Sequence, residues 1–381
     1  MTPDIDTILA EAVRAAGLPG AVAIAANRSG IVHQSAIGER APGVAMTLDS
    51  VARIASMTKA ITSIAALRLV ERGLLELDDP ICDVLPELTE PMVFERFGVD
   101  SRPILHPATT PITLRHLLTH TAGYGYDTWN QPLGHIQTSL GLPRIPTTSD
   151  ELSRVPLLFE PGTHWNYGIN TDIVGRAVEV ASGKRLDEAL RDEVLAPLGM
   201  HDTMFLTGPD QEARRILMHR RQDDGTVIEA PMLPPETLPF MAGGGGLHST
   251  ALDYIKLLQA ILAGGTSLVG PAMFEVMTTP QTGDVTVVPM VSAVPAMSND
   301  VGLAAELELK WTGAFMINTQ ADADGHSAGR LSWAGLCNTY YWIDPARSTC
   351  GVFIAQLLPF ADPATLAAFH AYEMAINQAF G

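Results

Sequence analysis

The sequence predicts a mixed α/β protein of the α+β kind: an antiparallel sheet assembled from the N- and C-terminal parts of the chain, flanked by helices, with a mainly helical lobe inserted between those parts. Three observations carry this expectation. Strand-like runs occur near the start, from Gly20 to Gly38, and again near the end, in LAAELELKW, RLSWAGLCNTYYWIDP and TCGVFIAQLLPF. From about residue 78 to about 244 the pattern breaks into short helical stretches split by Pro and Gly. Amphipathic helical stretches open and close the chain. The expected division is one lobe from 1–77 with 245–381 and a second from 78–244.

Taken in order, an opening helix leads into GAVAIAANRSGIVHQSAIG, whose Asn27-Arg28-Ser29-Gly30 is a turn signal between two β-prone runs and so marks a hairpin. SMTKAITSIAALRLVERGLL, from Ser56, is apolar nearly all round and stops at Gly73, the pattern of a helix buried in the core. The inserted region contains ITLRHLLTHTAGYG, NTDIVGRAVEVASGKRLDEALRDEVLAPLGM and the connection EAPMLPPETLPF. MAGGGGLHS then precedes a helix that starts after Ser249 or Thr250, and VTVVPMVSAVPAMSND (Val285 to Asp300), broken by two prolines, reads as a loop or a lid.

Composition narrows the function. Charged residues make up 17% of the chain and apolar ones 46%, which describes a folded protein with room for an enzyme-sized cleft. A formal net charge of −18, with lysine only at 59, 184, 256 and 310, repels phosphate, so neither nucleic acid nor an anionic membrane surface is an expected partner. No run approaches the roughly 18 apolar residues of a membrane span, and the first twenty residues lack the basic-then-apolar order of a secretory signal. Cys82, Cys337 and Cys350 are odd in number and widely spaced, which favours free thiols and a cytoplasmic setting.

No metal or cofactor is expected. His116 and His120 in HLLTH have zinc-helix spacing but lack the glutamate of H-E-x-x-H, and they read better as buttresses of the turn ending at Gly123. GGGGLHS lacks the Lys-Ser/Thr pair of a phosphate loop, and its glycines fit close backbone packing near a cleft.

Two serines compete for the role of nucleophile. GHSAG, around Ser327, matches the G-x-S-x-G elbow, but an elbow serine needs a helix after it and triad partners beyond, whereas Ser327 is followed by a strand-like run and then by only His370 as a base. Ser327 reads as a loop residue at a strand entry. In SMTK, Ser56 and Lys59 are three apart at a helix start and share one face. A buried amine favours its neutral form, which can take the serine proton, and the helix N-terminus favours developing negative charge.

SMTK, LLTHTAG (Leu117 to Gly123), FEPGTHWNYG (Phe159 to Gly168), APLGMHDTMF and GGGGLHS follow one another as they do in the serine β-lactamase and penicillin-binding-protein superfamily, and the chain resembles that superfamily along nearly its whole length. It most resembles the family VIII carboxylesterases, since the usual Lys-Thr-Gly strand is replaced by Trp333-Ala334-Gly335, similar to their Trp-Gly-Gly.

The resemblance implies a β-lactamase-like fold and a catalytic set of Ser56, Lys59 and Tyr167, with an oxyanion hole from the backbone N–H groups of Ser56 and Leu336 and a substrate cleft that includes Trp333, Ala334, Gly335, Tyr124 and Asn170. Chemically, a phenol beside an ammonium can relay a proton from the serine to the leaving alcohol. Two departures point to a neutral small-molecule ester. Trp333 removes the cation that faces a substrate carboxylate, and Ile169 stands where Tyr-x-Asn has its asparagine, with Asn170 one place late. Trp129, Tyr124, Tyr126 and Trp311 are either acyl-pocket walls or core. Carboxylesterase is the leading expectation. An acyltransferase on the same site, a β-lactamase or D-amino-acid peptidase, and an acylated sensor domain remain as alternatives.

Overall fold

The computed structural model describes residues 4–231, 240–302 and 307–381. Asp4 caps α1 (Ile5–Ala15), its side chain accepting from the Thr7 N–H. β1 (Gly20–Asn27) and β2 (Gly30–Ala41) form the expected hairpin, and Asn27 Oδ1 accepts from the N–H groups of Ser29 and Gly30 in the turn. After β3 (Val44–Ala45) and β4 (Ala52–Arg53), α2 (Thr58–Glu71) buries Lys59 to Leu67 without a break and ends before Gly73, which takes the left-handed φ of 67°.

The region after α2 is less purely helical than its sequence predicts. β5 (Met92–Phe97) and β6 (Pro103–Pro107) make a hairpin before α3 (Leu114–Leu118). Both runs are short and mostly half-buried, without a clean two-residue alternation, so their period is hard to tell from helix. Then come α4 (Gln131–Leu140), α5 (Ser149–Arg154), α6 (Asn170–Ser182), α7 (Leu186–Leu190) and α8 (Pro209–Ala213). They lead to β7 (His219–Arg221) and β8 (Val227–Glu229). Part of EAPMLPPETLPF, 232–239, lies outside the described residues.

β9 (His248–Ser249) pairs with β4 and leads into α9 (Ala251–Leu262), capped by the Thr250 side chain as the sequence predicts, and α10 (Pro271–Thr278) follows. β10 (Leu309–Trp311) begins late in LAAELELKW, of which 303–306 lie outside the described residues. β11 (Met316–Asn318), β12 (Leu331–Gly335), β13 (Thr339–Asp344), β14 (Thr349–Ile354), the short β15 (Leu357–Leu358) and α11 (Pro363–Phe380) complete the chain.

The main sheet has the order β10-β11-β12-β13-β14-β1-β2-β3 and is antiparallel at every pairing, so strands from both ends of the chain meet where β1 lies against β14. This is the β-lactamase-like layout expected. β1 is buried on both faces and sorts its side chains by the period of two. Ala21, Ala23 and Ala25 pack with Leu9 of α1 and Tyr372 of α11, whereas Val22, Ile24 and Ala26 join the core that contains α2 and α9. The small alanines let the terminal helices approach closely.

Two connections bear on function. Ser327 lies in the loop between β11 and β12, followed by a strand and not a helix, so GHSAG lacks the scaffold of an elbow. The segment 285–300 contains no helix among its residues and is tied down across Asp127–Trp129: the Ala293 N–H donates to the Thr128 carbonyl (2.8 Å), and Trp129 Nε1 donates to Ser298 Oγ (3.0 Å).

Candidate active site

Ser56 sits in a single 3-10 turn, Ala55–Met57, that runs straight into α2. Ala55 holds φ at 45°, a left-handed conformation that costs a non-glycine residue roughly 1 kcal/mol or more and persists only where neighbours fix it. They do. The Ile54 N–H donates to the Leu247 carbonyl (3.1 Å), the Leu247 N–H to Thr58 Oγ1 (3.1 Å), and Tyr254 OH to the Met57 carbonyl (3.0 Å). On the other side β12 packs against the turn at Gly335, where an added Cβ would collide with the Ile54 carbonyl oxygen and Thr339 Oγ1.

One helical turn on, Lys59 is 2% exposed and its Nζ meets three oxygens: Ser56 Oγ at 3.2 Å, Tyr126 OH at 3.1 Å and the Gly244 carbonyl at 2.7 Å. The glycines of GGGGLHS make the last contact possible. A Cβ on Gly244 would stand 2.8 Å from Asp172 Oδ2, and one on Gly243 2.8 Å from the Thr171 carbonyl.

The Tyr167 ring covers Lys59, its centroid 4.7 Å from Nζ, and its hydroxyl accepts a hydrogen bond from Trp333 Nε1 at 3.1 Å. Tyr167 and Tyr126 are held together, since the Tyr126 N–H donates to the Tyr167 carbonyl (3.2 Å) and the rings lie 5.4 Å apart. Trp129 packs on Tyr167 at 5.5 Å. Burial above all, and then the negative charge of Asp172, hold the Tyr126 phenol well above its ordinary pKa, so it stays protonated. Burial, and then the charge of Lys59, push His120 well below its ordinary value and keep it neutral.

Such an arrangement can activate a hydroxyl. A neutral Lys59 amine has two N–H bonds and one lone pair. In that form the Gly244 carbonyl and the Tyr126 oxygen can take the two N–H bonds, which leaves the lone pair free to accept from Ser56 Oγ, 3.2 Å away.

The whole-chain pattern matches known proteins. A family model described as Beta-lactamase covers residues 5–373. The chain belongs to the beta-lactamase family. Among its relatives are the lovastatin esterase of Penicillium rubens, 32% identical over 92% of each chain, and the monacolin J acid methylbutanoyltransferase of Aspergillus terreus, 30% identical over 98% of this chain and 94% of that one. Among solved structures, a mutant of simvastatin synthase from Aspergillus terreus superimposes with a TM-score of 0.84 at 28% identity, over 99% of this chain and 94% of that one.

Within this beta-lactamase family frame the predicted residues divide. Ser56, Lys59, Tyr167 and Trp333 converge, with Gly335 supplying close backbone approach. Ala334 does not join them: on β12 its side chain alternates to the opposite face from Trp333 and packs in the core with α1 and α11. Tyr124 and Asn170 are fully buried and expose no surface to an open cleft. Asn170 Nδ2 instead lies 3.0 Å from His120 Nδ1, and His120 packs on Tyr167 and Trp311, so the asparagine supports the aromatic cluster from behind.

Tyr126, Asp172 and Gly244 are the site residues that sequence reasoning missed in this role. Tyr126 reads as a pocket wall, and nothing in its spacing ties it to Lys59, 67 residues away. A surface groove lined by Arg68, Glu71, Leu268 and Phe274 opens at the other end of α2, about 20 Å along the helix from the nucleophile. It brings together no reactive set.

Proposed function

We propose that the protein is a serine hydrolase of carboxylesterase type, close to the family VIII esterases, that cleaves neutral small-molecule esters through an acyl-enzyme on Ser56. The observation that carries this reading is Lys59 Nζ, buried and 3.2 Å from Ser56 Oγ under the ring of Tyr167. The serine proton passes to Lys59 as Oγ bonds to the ester carbon, and the oxyanion is received by the backbone N–H groups of Ser56 and Leu336, a role that the close approach of Gly335 to Ile54 supports. Tyr167 protonates the departing alkoxide and recovers its proton from Lys59. Water then attacks the acyl-enzyme with the same groups in reverse.

The esterase and acyltransferase relatives support ester chemistry. Trp333, uncharged and hydrogen-bonded to Tyr167, offers no cation to a substrate carboxylate, which favours a neutral ester over a β-lactam acid. The catalytic cleft lies, on this reading, between a lobe formed by 1–77 with 245–381, which supplies Ser56, Lys59 and Leu336, and a lobe formed by 78–244, which supplies Tyr126 and Tyr167. No helix of the described residues is long and apolar enough to cross a membrane, and we assign the protein to the cytoplasm on its three free cysteines. Its net charge of −18 argues against nucleic-acid and anionic membrane partners.

Hydrolysis of p-nitrophenyl butyrate by wild type and by Ser56→Ala tests the assignment; an inactive wild type, or an active Ser56→Ala, overturns it. The methylbutanoyltransferase relative favours a second reading, acyl transfer to an alcohol, and a new ester formed on adding an alcohol acceptor, faster than hydrolysis, would establish it.

A further inference from the structure

Beneath the catalytic lysine lies a carboxylate that the proposed mechanism does not use. Asp172, in the first turn of α6, is 6% exposed. Its Oδ1 accepts from the Gly244 N–H at 2.9 Å, and its Oδ2 faces Tyr126 OH at 3.4 Å. Gly244 and Tyr126 are two of the three groups that hold Lys59 Nζ. Both contacts of the carboxylate therefore end at the lysine.

We infer that Asp172 is a positioning residue that aims the Lys59 lone pair at Ser56 by fixing the direction of the Tyr126 hydroxyl. The inference rests on the proposed esterase chemistry. An ionised carboxylate only accepts, so the phenol proton points to Asp172 and the phenol oxygen is left to accept from Lys59. With Gly244 O taking the second N–H, the neutral amine keeps its lone pair, and the remaining hydrogen-bond partner among the described residues is Ser56 Oγ. When Lys59 takes the serine proton, the same carboxylate balances the new ammonium through the phenol.

Among the described residues, the charged and titratable groups around Lys59 and Asp172 are Tyr126, just before the Asp127–Trp129 turn, Tyr167 from the segment before α6, and His120, two residues past α3, which burial keeps neutral. Asp172 is thus the anion of this cluster. Burial holds its pKa above the ordinary carboxylate value, opposed by the ammonium form of Lys59 and then by the Gly244 and Tyr126 hydrogen bonds.

Asp172→Asn makes the test sharp because the Gly244 N–H requires an acceptor and so fixes the amide with its oxygen there. The amide nitrogen must face Tyr126 and donate, the phenol proton turns towards Lys59, and the lone pair is diverted from Ser56. Loss of the anion also disfavours the ammonium.

The experiment is p-nitrophenyl butyrate hydrolysis from pH 5 to 9 by wild type, Ser56→Ala, Asp172→Asn and Tyr126→Phe, each checked for folding by circular dichroism. Asp172→Asn is expected to lose about 10- to 100-fold in kcat with KM little changed, and its acid limb to move to lower pH. Tyr126→Phe, which removes a single hydroxyl, is expected to lose at least about 10-fold and decides the matter if Asp172→Asn does not fold. Wild-type kcat in Tyr126→Phe, or a slow Asp172→Asn with an unmoved acid limb, overturns the inference while a dead Ser56→Ala leaves the esterase reading standing. An active Ser56→Ala defeats both.

Discussion

Trp333 Nε1 donates to the phenolic oxygen of Tyr167 at 3.1 Å, and Trp333 is the residue that the resemblance sets in the place of the Lys-Thr-Gly lysine. The tryptophan therefore does more than remove a cation. On the proposed mechanism the donor stabilises the negative charge that builds on this oxygen in the transition state as Tyr167 gives up its proton. A hydrogen bond to a charged group is worth about 1.5–3 kcal/mol, so Trp333→Phe is expected to lower kcat by about 10- to 100-fold with a smaller change in KM. Steady-state kinetics on p-nitrophenyl butyrate check this.

Gly335 admits no side chain. The collision of a Cβ with the Ile54 carbonyl and Thr339 Oγ1 would push β12 away from the turn that carries Ser56. Gly335→Ala is expected to destabilise the fold by about 1–3 kcal/mol and to lower kcat more than about 10-fold, measured by urea denaturation and ester hydrolysis.

Asn170 contacts His120 and no open cleft. Asn170→Ala leaves a buried imidazole nitrogen without its partner, at a cost of about 1–3 kcal/mol in stability. Its effect should appear in the denaturation midpoint, with KM for small esters close to wild type; a raised KM with an unchanged midpoint would return Asn170 to the substrate.

His248 on β9 gives a pH prediction. Burial first, and then the charges of Arg53 and Arg215, hold its pKa down to about 4. The unfolded chain, with an imidazole near 6.5, takes up a proton sooner as pH falls. Stability from this group is therefore fully present above about pH 6.5 and lost towards pH 4, by at most roughly 3 kcal/mol. Urea denaturation at pH 7.5 and 4.5 is expected to show a smaller difference for His248→Asn than for wild type.

The parts legible in the sequence were those set by local chemistry. The Asn27–Gly30 hairpin, the cap at Thr250 and the all-buried α2 follow from turn, capping and periodicity rules. Ser56 and Lys59 were legible because three residues on a helix fix their contact. What escaped depends on distant segments meeting. The β5–β6 hairpin is too short to show its period, and Tyr126, Asp172 and Gly244 converge on Lys59 only through the tertiary fold. Tyr124 and Asn170 show the converse: both lie beside the expected motifs in sequence, yet their side chains are fully buried.

The central claim is that Ser56, and not Ser327, carries the acyl group. Intact-mass spectrometry after brief mixing with p-nitrophenyl butyrate, followed by peptide mapping, tests it directly in wild type, Ser56→Ala and Ser327→Ala. The account predicts a butyryl adduct on Ser56 in wild type and in Ser327→Ala, with none in Ser56→Ala. A butyryl group on Ser327, or an adduct that survives Ser56→Ala, would contradict it.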